Sequence, residues 1–157
     1  MAHTNLKRLL LLVFLTVSLD SCATYCKNAD TSASKKNTNP TGSKMKIKIG
    51  NSTFGVTLYG NATVTAFKSL LPLTVNMIEL NGNEKYADLP RDLPANPSNL
   101  GTIQNGDLML YASSTVVLFY KTFPTSYSYT KLGHVDIVTG LPAALGSGNV
   151  TVTFEQD

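Results

Sequence analysis

Short apolar runs that alternate with polar residues constrain the fold of this chain more than any other feature. Two of them, residues 107–112 and 115–121, are joined by the polar pair Ser113-Ser114. Side chains on a strand alternate between its two faces, so we predict a β-hairpin with one face in a hydrophobic core. A loop rich in hydroxyls and aromatic rings follows within the stretch 101–129. A loop carried by a rigid hairpin is well placed to line a pocket.

Six further runs show the same alternation, and residues such as Gly50-Asn51 supply turns between them. The predicted strands outside the central hairpin are residues 45–49, 53–59, 73–78, 84–89, 132–138 and 149–155.

Two short helical segments and one long loop complete the predicted elements. Asn61 is suited to cap a helix over 61–71, which Pro72 ends. A helical turn is predicted at 139–145, and the proline-rich segment 90–99 is predicted to be an irregular loop. Many short strands without a long helix indicate a mainly β domain with two short helices, either a closed barrel or a sandwich.

The first 22 residues have the layout of a secretory signal. Lys7 and Arg8 precede the apolar run 9–17, which is too short to span a membrane, and small polar residues lead into Cys22. Residues 19–22, LDSC, resemble a bacterial lipobox, although the aspartate is atypical. Acylation of the cysteine would hold the chain to a membrane almost irreversibly.

We therefore predict a lipoprotein-type signal peptide at 1–21, lipidation at Cys22, a flexible polar tether over 22–44 and a folded domain over 45–157. The protein is expected to be exported to the cell envelope and lipid-anchored to a membrane, either the outer membrane or a periplasmic face. The alternative is ordinary signal cleavage that leaves Cys22 and Cys26 as thiols or a disulfide.

The charge distribution argues against a nucleic-acid partner. The formal net charge is +3, but from Met45 onward seven Lys and Arg residues face eight Asp and Glu residues. The basic excess therefore belongs to the N-terminal segment, and the domain has no cluster of cations interleaved with aromatic residues.

Common catalytic and cofactor patterns are not found in the domain. His134 is its only histidine, and Asp136 lies two residues on, where strand geometry permits contact on one face. A surface histidine is the favoured interpretation, because no nucleophile motif accompanies it. One histidine and no domain cysteine supply no recognisable metal-ligand set, and phosphate-binding glycine loops are absent. We expect no metal and no cofactor.

Four segments carry a family resemblance. Residues 70–74 (LLPLT), 106–111 (GDLMLY), 117–120 (VLFY) and 139–155 (TGLPAALGSGNVTVTFE) occur in this order. They resemble the small bacterial cyclophilin-like family, compact β-barrels of largely unassigned function. The resemblance extends over 45–157 and implies a small closed cyclophilin-like β-barrel with an open face near the long loops. It does not by itself imply isomerase activity.

Peptidyl-prolyl isomerases of the cyclophilin class carry a Phe-His-Arg stretch whose arginine contacts the substrate. This stretch is missing here, and the only arginine of the domain is Arg91, in the proline-rich loop. Residues 104–107, QNGD, partly resemble a second motif of those enzymes, and Phe119 lies where they have a phenylalanine pair. Without a donor aimed at the prolyl amide, the residues present do not support their usual mechanism.

The remaining candidates are aromatic and polar residues around the central hairpin. We predict a ligand-binding site that includes Gln104, Tyr111, Phe119, Tyr127 and Tyr129. We expect Tyr127 and Tyr129, two apart in a Ser/Thr-rich loop, to form an exposed rim, and about half of the region's rings to be core. The predicted function is non-enzymatic binding of a peptide or small-molecule ligand by a membrane-anchored barrel. The alternative is a weak or degenerate prolyl isomerase acting on envelope proteins.

Overall fold

The structure, a computed structural model, describes residues 42–157. The predicted signal peptide at 1–21, the lipidation site Cys22 and all but the last three residues of the predicted tether lie outside the described residues. Within the described part of the chain, no helix is long and apolar enough to cross a membrane.

The described residues form eleven strands and two short helices. The strands are β1 (Lys44–Ile49), β2 (Ser52–Leu58), β3 (Leu73–Leu80), β4 (Glu84–Asp88), β5 (Ser98–Asn99), β6 (Thr102–Ile103), β7 (Asp107–Tyr111), β8 (Thr115–Phe119), β9 (Phe123–Pro124), β10 (Ser128–Val135) and β11 (Val150–Gln156). The helices are α1 (Ala62–Lys68) and α2 (Leu141–Leu145).

Eight of these strands close into an antiparallel barrel. Their order is β2-β1-β11-β3-β4-β8-β7-β10, and β10 pairs again with β2. At this closure Gly133 lies opposite Leu58, and a Cβ on Gly133 would lie only 2.8 Å from the Thr57 carbonyl oxygen. Glycine therefore permits the close approach of the two closing strands. The predicted closed β-barrel with two short helices is confirmed, and the eight predicted strands correspond to the eight strands of the barrel.

Helix α1 covers part of the barrel core, as its apolar face predicts. The Asn61 side chain accepts a 2.8 Å hydrogen bond from the Val64 amide, so the predicted N-cap is confirmed. Phe67 packs edge-on against Phe154, with ring centroids 5.6 Å apart. The helix ends at Lys68, three residues before its predicted end.

Two apolar clusters lie on opposite faces of the barrel wall. In β7, Leu108 and Leu110 belong to the inner cluster, whereas Met109 between them belongs to the outer one. Buried members of the outer cluster are Ile103, Met109, Val117, Phe119 and Tyr129. The short pair β6 and β9 contributes Ile103 and Phe123 to this cluster, and so covers part of the wall from outside.

The structure differs from the predictions in two segments around this wall. The predicted irregular loop 90–99 ends in strand β5, whose Asn99 lies opposite Ser128. Strand β10 begins at Ser128, four residues before its predicted start, so the end of the predicted hydroxyl-rich loop is in fact strand. Pairing with β5 and β7 outweighs the loop-like local composition, because strand preference depends on neighbours more than on the residue itself.

Candidate functional site

An open cavity of about 370 Å³ lies on the outer face of the barrel wall. We call it the tyrosine trough, because four of the nine residues that line it are tyrosines. Its lining residues are Leu80, Asn81, Glu84, Tyr86, Tyr111, Thr115, Val117, Tyr127 and Tyr129.

The register of three adjacent strands places the floor and one wall of the trough. Tyr86 on β4 lies opposite Val117 on β8, and Tyr111 on β7 lies opposite Thr115 on β8. Residues two apart on a strand share a face, so Glu84 points outward with Tyr86. The site is therefore built mainly on regular strands, which hold side chains more rigidly than loops do.

Three aromatic rings form the wall at the β10 side. Tyr111 lies 6.3 Å from Tyr127 at nearly a right angle, and 5.7 Å from Tyr129. Tyr127 is 62% exposed and Tyr111 44% exposed, so both present ring surface to solvent. Tyr129 is only 6% exposed and packs edge-on against Phe119 at 5.4 Å. The two exposed rings form the rim, and Tyr129 anchors them to the outer cluster.

The expectation that Tyr129 is exposed is therefore wrong. Its position at the start of β10 turns the ring toward Phe119, with which it forms part of the buried outer cluster. The predicted rim is half right, because Tyr127 is exposed. The assignment of Tyr111, Tyr127 and Tyr129 to a ligand site stays a prediction, and the structure brings all three into one cavity.

The other two predicted site residues do not line the trough. Phe119 is fully buried behind Tyr129, so it supports the site from beneath. The backbone amide of Gln104 donates to Asp107 at 2.8 Å, and its side-chain oxygen lies 3.4 Å from the Thr122 hydroxyl. Gln104 thus forms part of the turn that leads into β7.

Glu84 is the single acidic side chain of the trough. Burial raises the pKa of its carboxyl group above the ordinary value, and the nearby carboxylate of Glu79 raises it further. Burial likewise raises the pKa of the Tyr129 hydroxyl to about 12, with added contributions from Glu84, Tyr111 and Tyr127. The Tyr129 hydroxyl is therefore neutral at physiological pH and available as a hydrogen-bond donor.

A buried ion pair lies on the other face of β4, inside the barrel. Lys85 is fully buried, and its ammonium group donates to Glu79 and to the carbonyl oxygens of Gly146 at 2.9 Å and Gly148 at 2.6 Å. Burial alone would raise the pKa of Glu79, but the Lys85 ammonium, the Tyr120 hydroxyl and a backbone amide outweigh it and lower that pKa. The pair closes the barrel end against the loop before β11.

Tyr120 completes this network. Its hydroxyl donates to Glu79 at 2.8 Å, and the Lys85 ammonium lies 5.4 Å from its ring centroid. Burial, followed by hydrogen bonding to Glu79, raises the pKa of Tyr120 to about 12. All three hydrogens of the buried ammonium have acceptors, as a stable buried charge requires.

The one histidine of the domain pairs across strands. His134 Nδ1 lies 3.1 Å from an Asp107 carboxylate oxygen, because the two residues are directly opposite in the β10–β7 register. Asp136 instead accepts hydrogen bonds from Lys44 at 2.9 Å and from Thr57 at 2.5 Å. The contact considered between His134 and Asp136 is therefore not formed, and the acidic partner comes from a different strand.

Neither Arg91 nor Lys121 lines the trough. Arg91 donates to the Ser69 hydroxyl at 2.6 Å, at the end of α1. The Lys121 ammonium lies beside Gly82 in the turn between β3 and β4. Among residues 42–157, no three His, Cys, Asp or Glu side chains are grouped as a metal site would require.

The sequence prediction did not include Leu80, Glu84 or Tyr86. Alternation along β4 could have indicated two of them. Lys85 and Ala87 face the core, so Glu84 and Tyr86 must face outward. What periodicity could not supply is the order of strands, which places β4 beside β8 and so brings Tyr86 against the central hairpin.

A second groove of about 490 Å³ lies between α1 and the loop before β5. Its lining includes Tyr59, Asn61, Asn96 and Lys131, and the Lys131 ammonium lies 5.4 Å from the Tyr59 ring centroid. Because the Lys131 ammonium already lies against the Tyr59 ring, the aromatic rings of the tyrosine trough are more available to a ligand.

Comparison with known proteins agrees with this architecture. A solved structure of a hypothetical protein from Archaeoglobus fulgidus is similar to the chain, with a TM-score of 0.51 and 15% sequence identity. The match covers 77% of this chain and 99% of the archaeal one, and at this identity it shows the fold alone. A search of curated proteins gave no match. The model of the cyclophilin-like family matches residues 47–155, and the chain therefore belongs to the cyclophilin-like family.

Proposed function

We propose that this cyclophilin-like domain binds a peptide or a small ligand in the tyrosine trough without transforming it. The observation that carries the proposal is the pair of exposed rings, Tyr111 and Tyr127, at the rim of an aromatic cavity on a rigid barrel wall. Tyrosine rings provide a large contact area at little cost in side-chain entropy, and their hydroxyls adapt to different partners.

The surface beside the trough favours an extended partner. Ile78 and Leu80 are large apolar residues that remain exposed on the outer face of β3. Ile78 lies opposite Tyr86, so the apolar surface continues from the trough across the neighbouring strand. Contiguous apolar surface of this kind marks interaction sites more often than scattered exposed residues do. A peptide lying across β3 and β4 would cover it.

Selection of peptides tests the binding proposal. A displayed library of random linear peptides is selected against the full chain, and the enriched peptides are tested on two variants. Tyr127→Ala removes a rim ring, whereas Ile137→Ala removes a side chain that is 71% exposed and lies outside the trough. We expect Tyr127→Ala to weaken binding about tenfold or more and Ile137→Ala to leave it unchanged. Equal binding to both variants would place the contact elsewhere.

The alternative activity, weak prolyl isomerisation, requires a donor aimed at the prolyl amide. Arg91 is engaged with Ser69 and does not line the trough, which favours binding over catalysis. A protease-coupled assay with a proline-containing peptide distinguishes the two. Acceleration above background that disappears in Tyr127→Ala would replace the binding proposal by the isomerase one.

We also propose that Cys22 carries the lipid that anchors this domain in the cell envelope. The support is the sequence pattern LDSC after a short apolar run. In cells that are fed a labelled fatty acid, Cys22→Ser should lose the label and leave the membrane fraction, whereas Cys26→Ser should retain both. A Cys22→Ser protein that stays with membranes after a high-salt wash would contradict the anchor.

A further inference from the structure

The surroundings of Glu84 do not stabilise its ionised carboxylate. It is half-buried in the trough, and within residues 42–157 its carboxylate is matched with neither an ion-pair nor a hydrogen-bond partner. Carboxylates elsewhere on the wall are matched: Glu79 with Lys85, Asp107 with His134, and Asp88 with the Thr115 hydroxyl. A charge withdrawn from water without a partner opposes folding.

The groups around Glu84 do not offset this charge. The negative charge of Glu79 repels the Glu84 carboxylate. The ammonium of its chain neighbour Lys85 faces the opposite side of the wall and is already hydrogen-bonded to three acceptors. Lys121, beside Gly82, forms no ion pair with it in the described part of the chain.

The rest of the lining suits a positive charge. Tyr86, Tyr111, Tyr127 and Tyr129 line the same cavity as Glu84, and the perpendicular rings of Tyr111 and Tyr127 form a corner. Aromatic faces attract ammonium and guanidinium groups, and the attraction grows as the cation leaves water. A carboxylate beside these aromatic rings adds a full opposite charge to that attraction.

We propose that the tyrosine trough recognises a basic side chain, lysine or arginine, of a bound peptide, with Glu84 as its counter-ion. This inference rests on the proposed peptide-binding function and specifies the class of peptide. The long aliphatic part of such a side chain would lie along Leu80 and Val117, while its charged end reaches Glu84. The exposed apolar residues Ile78 and Leu80 would receive the neighbouring residues of the peptide.

The test uses peptides selected from the library that lose affinity in Tyr127→Ala. We expect them to be enriched in lysine or arginine, and we expect replacement of that residue by norleucine or citrulline to weaken binding to the full chain about tenfold. Against Glu84→Gln, the charged form should lose most of its advantage over the neutral form, and only the part that the tyrosine rings supply should remain. Asp88→Asn removes the same charge from the same strand outside the trough, and should keep the preference for the charged peptide.

The possible outcomes distinguish the preference for a basic side chain from peptide binding in the trough. Peptides that depend on Tyr127 but contain no basic residue, or that bind Glu84→Gln as they bind the original chain, would leave the trough as a binding site and overturn its preference for cations. A preference lost equally in Asp88→Asn would mean general charge attraction and would also overturn it. A library that yields no Tyr127-dependent peptide would contradict the proposed binding of peptides itself.

Discussion

Glu84 and Lys85 are chain neighbours on β4 whose opposite charges face opposite sides of the barrel wall. The Lys85 ammonium is buried inside and is hydrogen-bonded to Glu79, Gly146 and Gly148. The Glu84 carboxylate stands outside, in the tyrosine trough. One strand thus carries a charge that stabilises the fold on one face and a charge available to a ligand on the other.

The inner charge should be important for stability. Lys85→Met keeps most of the side-chain volume but leaves the Glu79 carboxylate without its counter-ion and two carbonyl groups without a donor. Breaking one partner of a buried ion pair lowers the free energy of unfolding by about 3 kcal/mol or more. Urea unfolding of the full chain measures this loss.

Lys48→Met provides the matched control. Lys48 pairs with Glu155 at 2.8 Å, but both side chains are substantially exposed on β1 and β11. An exposed pair contributes less than about 1 kcal/mol, so this variant should unfold at nearly the urea concentration of the original chain. Equal losses in the two lysine variants would mean that the buried network is no more stabilising than a surface pair.

The outer charge should oppose stability. The pKa of Glu84 is raised in the folded state, so the folded chain binds this proton more tightly than the unfolded chain does. Ionised Glu84 therefore destabilises the fold at every pH above its raised pKa, and the effect fades as the pH falls to the ordinary value of 4.5. Glu84→Gln should raise the melting temperature at pH 7 and leave it unchanged near pH 3. A lower melting temperature at pH 7 would show that Glu84 has a stabilising role instead.

Glu79 should have the opposite pH dependence. Its folded pKa is lowered, so its contribution is fully present above the ordinary value of 4.5 and is lost as the pH falls through the folded pKa. Glu79→Gln should be clearly less stable than the original chain at pH 7, and the difference should shrink in urea titrations carried out at progressively lower pH. A difference that stays constant down to pH 2 would contradict the assigned direction of the shift.

The two tyrosines at the β10 side of the trough should differ sharply in stability. Tyr129→Ala removes a buried ring from its contact with Phe119, so we expect a loss of about 3 kcal/mol and a melting temperature lower by about ten degrees. Tyr127→Ala removes an exposed ring and should change the stability by less than about 0.5 kcal/mol. Thermal melts of both variants test this, and similar melting temperatures would contradict the distinction between anchor and rim.

Periodicity predicted the barrel strands well because each of them has one face in the core. The alternation of Met45, Ile47 and Ile49 on β1 is an example, since all three are buried. It failed at β10, where Ser128 and Tyr129 lie in a locally polar segment whose strand structure depends on pairing with Asn99 and Ser98. Contacts of that kind join residues about thirty positions apart, and local composition does not encode them.

The candidate site was predicted only in part, because local sequence does not encode strand pairing. Tyr111 and Tyr127 belong to the stretch around the central hairpin, so proximity in the chain was enough to bring them together. Glu84 and Tyr86 enter the trough only through the pairing of β4 with β8. The inward position of Lys85 on β4 is a sequence signal for the buried ion pair. An inward charge must have a partner, and Glu79 lies on the same face of the wall.

The most direct test of the proposed site is an amide chemical-shift map of the ¹⁵N-labelled full chain titrated with a library-selected peptide. If the ligand binds in the tyrosine trough, the largest shifts should fall in residues 80–86, 111–117 and 127–129, which surround it. Shifts concentrated instead at Tyr59, Asn61 and Lys131 would place the ligand in the second groove and contradict binding in the trough.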